Sequence, residues 1–496
     1  LNSESLFGFL YIMSGPKRLV YDVLISGGGA AGSALAHRLI TANVARNAIS
    51  PLRIGIIEPQ ERSISKDIES TQGRIPNARA YALSPSSLET LGLNSALKGK
   101  LGEYEVMQIW EQNGPGLLHF NKDDVSTAEL KSYNALGAVV EDRDIVSGLW
   151  DALSTHENVD LISGASLKHI EKISRTDDSV KVVYEKSEEK IEAFAKLLVA
   201  ADGGNSFVRN TLGMSTIGFG YGRRAVICTV KFDSKDSMHE YKRRVAYQRF
   251  FPNGPIALLP TFNDDYGNIV WSTTPEEASR LTSLDSTEFV DELNDALQTG
   301  PTLSPPILSS ETLSRLPPPL VDAVRGVEML GQSISNGLAL ASSMNSAETF
   351  RFPPMISSVE GRRFAFDLKL QHAKKYVGPR VALIGDAAHT IHPMAGQGLN
   401  LGLADAECLA KCIKMAIDSG MDIGSSTFLD IYESERQKAA VAMMAGIQCL
   451  HAAFSTEFSP AVYLRSIGVN FVNSATPLRQ TLANVAVGNA GASVTN

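Results

Sequence analysis

Tyr21-Asp22-Val23-Leu24-Ile25-Ser26-Gly27-Gly28-Gly29-Ala30-Ala31-Gly32 is a short apolar strand that runs directly into G-x-G-x-x-G and then into a helix-forming stretch through Leu39. Gly27 permits a tight turn, Gly29 lets backbone approach a pyrophosphate, and Gly32 lets helix and strand pack. The helix start offers free N–H groups and a positive dipole end to the phosphates. A second strand, Leu52-Arg53-Ile54-Gly55-Ile56-Ile57, ends at Glu58, where a carboxylate can accept from ribose hydroxyls. The polar loop Thr41 to Ser50 lengthens the usual spacing, as loops tolerate. The competing reading is a glycine-rich turn in some other βαβ unit.

Two further strands end in acidic turns. Lys196 to Ala201 reads as a buried strand that breaks into Asp202-Gly203-Gly204-Asn205-Ser206-Phe207-Val208-Arg209, where Asp202 alone could be a helix cap. Arg380 to Ile384 leads into Gly385-Asp386-Ala387-Ala388-His389. After it come His392-Pro393-Met394-Ala395-Gly396-Gln397-Gly398-Leu399-Asn400 and a helix through about Ile413. Gly396 and Gly398 bring bare backbone to that helix start, where N–H groups favour negative charge.

G-x-G-x-x-G with Glu58, then D-G-x-x-S-x-x-R, then G-D-A-A-H-x-x-x-P-x-x-G-Q-G-x-N, in this order, resembles the para-hydroxybenzoate hydroxylase superfamily of class A flavoprotein monooxygenases. The resemblance implies an α/β (mixed α+β) fold: a Rossmann-like FAD-binding domain, an inserted antiparallel-sheet substrate domain and a C-terminal helical segment. It places Gly27, Gly29, Gly32 and Glu58 on the adenosine half of FAD, Arg79 on the pyrophosphate side, and Asp202 and Gly203 in the cleft between flavin and reduced nicotinamide. Gly385 and Asp386 fall on the ribityl chain. Gly396, Gln397, Gly398, Leu399 and Asn400 border the isoalloxazine ring, with Pro393 and His392 at the flavin edge. Asn77 stands where the family often has aspartate.

The run Gln248-Arg249-Phe250-Phe251-Pro252-Asn253-Gly254-Pro255-Ile256-Ala257-Leu258-Leu259-Pro260, followed by Val270-Trp271-Ser272-Thr273, is similar to the ubiquinone-biosynthesis hydroxylase branch, as are Tyr432, Arg436 and Leu464 to Gly468. That branch implies hydroxylation of a polyprenylated phenol or 4-hydroxybenzoate through a flavin C4a-hydroperoxide, with O2 as co-substrate. The reductant implied is NAD(P)H or ferredoxin with its reductase. The branch also implies contact with other ubiquinone-synthesis proteins and a peripheral position on the matrix face of the mitochondrial inner membrane, or the cytoplasmic face in a bacterial homologue. A flavoprotein scaffold of the ubiquinone-synthesis complex and a related epoxidase or oxidase are the other readings. The halogenase signature W-x-W-x-I-P is absent. No Tyr or His stands out as a base for the phenol, and His389 and His392, inside the segment that shapes the cofactor turn, read as structural or flavin-edge groups in preference to a base.

Composition sets the outer bounds. The 496 residues are enough for two or more lobes; 44% hydrophobic and 20% charged residues are ordinary for a globular protein, and a net charge of −8 excludes a typical nucleic-acid binder. Cys228, Cys408, Cys412 and Cys449 form no C-x-x-C pair and have no ligand partner at metal spacing, so no metal is expected and the thiols read as inert. Ala439 to Phe454 is the nearest approach to a membrane span, but Gln448 and His451 interrupt it, and it reads as a buried helix. Amphipathic candidates for a membrane surface lie in residues 439–485, where a core helix is the competing reading.

The expected division is an N-terminal extension at 1–19, an FAD-binding domain at 20–215 and 355–440, a substrate-lid sheet at 216–300, an insertion or long loop at 301–354, and C-terminal helices at 441–496. Ser63 to Pro76 reads as a second loop. The chain opens at Leu1, as a processed chain or an incomplete gene product would, and Lys17 and Arg18 are the basic residues of its first nineteen.

Overall fold

The computed structural model describes residues 19–41, 51–62, 71, 73–125, 133–171, 177–234, 244–302, 310–345, 350–392, 396–456 and 458–484. Val23, Leu24 and Ile25, and Ile54, Ile56 and Ile57, are apolar runs without alternation, the pattern of strands buried on both faces. They form the centre of a sheet ordered Val377–Gly378, Val381–Leu383, Glu189–Ala200, Leu19–Ser26, Ile54–Glu58, Val159–Ser163. From Val381–Leu383 to Val159–Ser163 every neighbouring pair is parallel. Ser26 is level with Ala200 and Ile57, and Ala200 is level with Leu383. The turns after Ser26, Ala200 and Leu383 therefore leave one sheet edge side by side, where ligands of open parallel sheets bind. The helices Ala30–Thr41 and Gln397–Asp418 pack together behind it, with Arg38 paired to Glu407.

A second sheet is mainly antiparallel, and its membership corrects the expected boundaries. Its order is His389–Thr390, Ile356–Ala373, Thr216–Phe232, Tyr266–Thr273, Ile256–Pro260, Val245–Phe250, Val106–Glu111, Leu117–Asn121. Strands from 106–121, assigned by sequence to the first flavin part, and from 356–373, assigned to the second, thus complete the lid. The reason is register: Ile356–Ala373 pairs along nearly the whole of Thr216–Phe232, and Val106–Glu111 pairs in parallel with Val245–Phe250. One lid face packs Val226, Cys228 and Val230 against the helices Pro275–Ser283 and Ser286–Gln298, burying Leu281, Phe289 and Leu293. The other face meets the nucleotide-binding part, where Thr229 Oγ1 donates to Pro76 O (2.9 Å) and Asn268 Nδ2 donates to Asn77 O (3.1 Å).

The segment 301–354, read as an insertion or long loop, contains the helix Pro318–Asn345. Pro317-Pro318-Pro319 marks its start: proline is tolerated in a first turn, where the missing N–H has no helical acceptor to lose. Residues 63–70 of the other expected loop lie outside the described residues. Ala439 to Phe454 falls in the helix Ser426–Ser455, which buries Ala440, Met444 and Ile447 but leaves Val441 and Leu450 exposed, so it is half-buried and crosses the boundary expected at 440.

The helix Ser459–Ser474 closes the open edge of the lid. Asn470 Oδ1 accepts from Leu117 N and Asn473 Oδ1 from His119 N, capping a strand edge with side chains. Beside them Glu111, 1% exposed, accepts from Arg465 Nε (2.6 Å), from Ser466 Oγ and from Gly116 N (3.1 Å). Removing one partner of such a buried pair strands the other charge. Glu111→Ala should destabilise the protein by about 3 kcal/mol in denaturant unfolding; a loss below about 0.5 kcal/mol, the size of an ordinary surface change, would contradict the clamp.

Candidate functional site

The first turn is built by close approach. Gly27 has φ +109°, and a Cβ there would lie 2.3 Å from Ala201 O; a Cβ on Gly32 would lie 2.1 Å from Gly27 O. A Cβ on Gly29 would meet nothing within 4 Å. Two glycines are thus required by packing, and the middle one faces open space at the start of the Ala30–Thr41 helix. Glu58 braces the turn: Oε2 accepts from Gly28 N (2.8 Å), while Oε1 accepts from Gln60 N (3.1 Å) and pairs with Arg62 (3.5 Å), which leaves Oε2 a lone pair for a hydroxyl. Trp150, which the sequence did not single out, donates from Nε1 to Gly28 O (2.9 Å) and closes the back.

Asp202 is engaged on one side by the helix that follows it. Its Oδ2 accepts from Val208 N (3.1 Å) in the short helix Phe207–Thr211, while its Oδ1 is buried without a partner. Gly203 beside it has φ +83° and open space around its Cβ position. Arg209, the last residue of the same motif, donates to Gly204 O (2.8 Å) and to Ala387 O (2.9 Å), fastening the second turn to the third.

The third turn rests on a buried carboxylate. Asp405, with no solvent exposure, accepts from Gly385 N (2.9 Å) and Arg436 Nε (2.7 Å), and its Oδ2 lies 2.6 Å from His389 Nε2. Burial raises the Asp405 pKa, but His389 and Arg436 outweigh it and hold the carboxyl below its ordinary range. Gly385, at φ +58°, is pressed against Gly402 of the following helix. Asp386 is solvent-accessible, yet desolvation raises its pKa against the opposing pull of His389 and Lys369; an accessible carboxylate that is nonetheless desolvated lies in a recess. Burial, then the charge of Asp142, pushes the Tyr81 phenol up to about 12 against the opposing pull of Arg79, and Asp386 adds to the rise. Arg79 itself is mostly exposed and pairs with Asp142 (3.3 Å).

Gly396, at φ +60°, caps the Gln397–Asp418 helix, so Gln397, Gly398 and Leu399 form its first turn. The Asn400 side chain is occupied: Nδ2 donates to Ala82 O and Gly396 O, and Oδ1 accepts from Ser84 N. It is a brace, which leaves the backbone of that turn as the surface for a ligand. Pro393 lies outside the described residues. His392 is buried, and its ring stands edge-on to Tyr221, with centroids 4.8 Å apart. Burial, followed by the nearby His451, pushes its pKa down to about 4, so it is neutral at pH 7. His389 is a strut of the Asp405 group.

The site therefore combines an empty approach to Gly29, unpartnered Asp202 Oδ1, a recessed Asp386 and a bare helix start at Gly398, all at one sheet edge. These features fit a long dinucleotide with a phosphate-bearing half and a polyhydroxyl chain. Comparison with known proteins agrees. The family model described as "FAD binding domain" matches residues 20–312 and 357–446. The mitochondrial ubiquinone biosynthesis monooxygenase COQ6 of Xenopus tropicalis is 33% identical over 93% of this chain and 92% of its own length. The human COQ6 protein is 31% identical over 93% and 92%. Among solved structures, p-nitrophenol 4-monooxygenase PnpA from Pseudomonas putida matches with a TM-score of 0.65 at 17% identity, over 95% of this chain and 99% of that one. Aklavinone-11 hydroxylase, solved with FAD and aklavinone, matches at 0.55 and 19% over 90% and 71%. These structural likenesses concern the fold.

The glycines give a paired test. Gly29→Val should unfold like wild type, because its side chain enters open space, while flavin retention falls by about tenfold or more. Gly27→Ala should lower the unfolding midpoint, because its methyl meets Ala201. A Gly29→Val protein with wild-type flavin content would contradict the placement of the phosphates there.

Proposed function

The chain belongs to the FAD binding domain family, in its ubiquinone-biosynthesis monooxygenase branch, and we propose that it hydroxylates the aromatic ring of a polyprenylated phenol or 4-hydroxybenzoate in ubiquinone biosynthesis. The observation that carries this reading is the alignment of three acidic or glycine turns at the carboxyl ends of adjacent parallel strands, with the eight-stranded sheet joined to the third turn through His389–Thr390. Gly27, Gly29 and Gly32 with the helix start would hold the pyrophosphate, with Arg79 on its outer side. Glu58 would hold the ribose, Gly385 and Asp386 the ribityl chain, and the backbone from Gly396 to Asn400 the ring edge. Asp202 and Gly203 would border the entry of a reduced nicotinamide. When bound, FAD supplies the activation of O2 and the transfer of one oxygen atom to an electron-rich ring.

What the chain itself supplies is placement and a dry cavity. Phe364 and Phe366 alternate with Ala365, which packs on the helix-covered side of the lid; their rings therefore stand on the face turned to the nucleotide-binding part, and both are exposed there. They give that cavity an apolar wall for a ring and the start of a prenyl tail.

A mitochondrial location follows the branch, with a peripheral position on the matrix face of the inner membrane. No helix among the described residues is long and apolar enough to cross a membrane. Support for surface contact comes from neighbouring exposed apolar side chains: Leu320, Val327 and Leu330 on Pro318–Asn345, and Leu464, Phe471 and Leu478 on the two last helices. Tyr463 Oη donates to Glu328 O (3.1 Å) and joins these elements.

The reading is tested by oxygen uptake of the purified flavoprotein with a prenylated phenol, under NADPH and under ferredoxin with its reductase. Substrate-dependent uptake that yields a hydroxylated ring is expected with one of the two; peroxide alone with every phenol would favour the scaffold reading. Asp386→Ala should fold normally and lose flavin, and full flavin content would remove that residue from the ribityl site. Leu464→Asp with Phe471→Asp should lower co-sedimentation with cardiolipin-containing vesicles, and unchanged partition would exclude this face as the contact.

A further inference from the structure

Arg79 sits at the end of an irregular run, Arg74-Ile75-Pro76-Asn77-Ala78-Arg79, that leads into the strand Ala80–Leu83. Its guanidinium is mostly exposed and meets Asp142 Oδ2 at 3.3 Å, and an exposed pair of that kind does little to fix a side chain. What holds the run is its backbone. Asn77 N donates to Glu141 Oε1 (3.0 Å), and Asn77 Oδ1 accepts from Arg79 N (2.8 Å), which closes a side-chain turn around Ala78. Arg79 O accepts from Asp142 N (3.0 Å). At the start of the run Arg74 pairs with Asp144 (2.5 Å) and Glu141 (3.3 Å). These acids belong to the nucleotide-binding part.

Two carbonyls between these points are held from the lid instead. Thr229 and Asn268 stand opposite each other on the strands Thr216–Phe232 and Tyr266–Thr273, and each is 2% exposed. Thr229 Oγ1 donates to Pro76 O (2.9 Å) and lies 3.1 Å from Asn268 Oδ1, while Asn268 Nδ2 donates to Asn77 O (3.1 Å). Pro76 has no N–H, so its carbonyl is the one backbone group by which it can be held. A hydroxyl and an amide buried in a sheet are costly unless satisfied, and here their partners are two successive carbonyls of the run that ends at Arg79. Phe262, just past the lid strand Ile256–Pro260, adds a third contact: the Arg74 guanidinium lies over its ring, 4.5 Å from the centroid.

We propose that Thr229 and Asn268 are positioning residues for the cofactor: through Pro76 O and Asn77 O they set the backbone from which Arg79 reaches the FAD pyrophosphate. The assignment rests on the placement of that pyrophosphate beside Arg79. A long exposed side chain loses rotamer freedom when it grips a phosphate, and a main chain fixed beforehand keeps that loss from growing. The lid thereby contributes to flavin retention through a residue of the other part. Neither Thr229 nor Asn268 stood out in the sequence, since the carbonyls they hold are 153 and 191 positions away.

The test is dilution of the flavin-loaded protein, with the release of FAD followed by its fluorescence. Thr229→Val keeps the shape of the side chain without its hydroxyl and should hold FAD about 3- to 10-fold more weakly, the worth of one neutral hydrogen bond. Thr229→Ser, which keeps the hydroxyl, should retain FAD nearly as wild type does. Arg79→Ala should lose at least as much as Thr229→Val. The double variant should be no weaker than Arg79→Ala alone, because nothing is left for Thr229 to position. Asn77→Ala, at the exposed end of the same chain of bonds, should match Thr229→Val, and it carries the test if that variant does not fold. Losses that add in the double variant, as a merely structural role would give, or wild-type retention in both Thr229→Val and Asn77→Ala, would overturn the assignment. Wild-type retention in Arg79→Ala would remove that arginine from the pyrophosphate and the assignment with it. A wild-type protein that holds no FAD would instead remove the flavoprotein reading, a result seen before any variant is made.

Discussion

Asp405, itself without exposure to water, accepts from the Gly385 amide and the Arg436 guanidinium and lies within hydrogen-bond distance of His389. This one carboxylate decides where the third turn lies relative to the first two. Gly385 starts that turn, His389 ends it, and Arg436 ties it to the C-terminal helix. Arg209 adds a second tie, from the middle turn to Ala387 O. A buried group with several charged partners is costly to assemble and more costly to leave half-satisfied, so the arrangement has one good solution. The recess at Asp386 exists because its neighbours on either side are fixed in this way.

The strand ladder makes the arrangement possible. Leu19–Ser26, Glu189–Ala200 and Val381–Leu383 are far apart in sequence yet adjacent and parallel in the sheet, so their carboxyl ends share one edge. Crossovers must therefore carry the chain away and back, and the lid is assembled from those excursions. Strands from 106–121, 216–273 and 356–390 build it together. The lid is accordingly covalently part of the same frame that positions the turns, which suits a reaction that must keep water from the oxidising centre.

The glycine turns and the acidic strand ends were legible in sequence because each is local: backbone conformation and close approach restrict the residue type at single positions such as Gly27 and Gly32. Asp405 was not. It lies in a helix beside Ala404 and Ala406, where one acid reads as a solvent-facing residue, and its partners are 16, 20 and 31 positions away. Trp150 supports Gly28 across 122 positions and gave no signal at all. The division of the lid was misread for the same reason, since strand pairing over such separations leaves no local mark. The helix Pro318–Asn345 did leave one, the three prolines at its start, which were read with the rest of the segment as an insertion or long loop.

The account stands on the claim that this frame holds a flavin which delivers oxygen from O2 to a phenolic ring. The most direct measurement is turnover of a prenylated phenol by the purified flavoprotein under 18O2, with mass analysis of the recovered ring. The account predicts one 18O atom per hydroxylated product and one flavin per chain. Product that carries oxygen from water, or flavin-loaded protein that consumes 18O2 and leaves the ring unlabelled with either reductant, would contradict it.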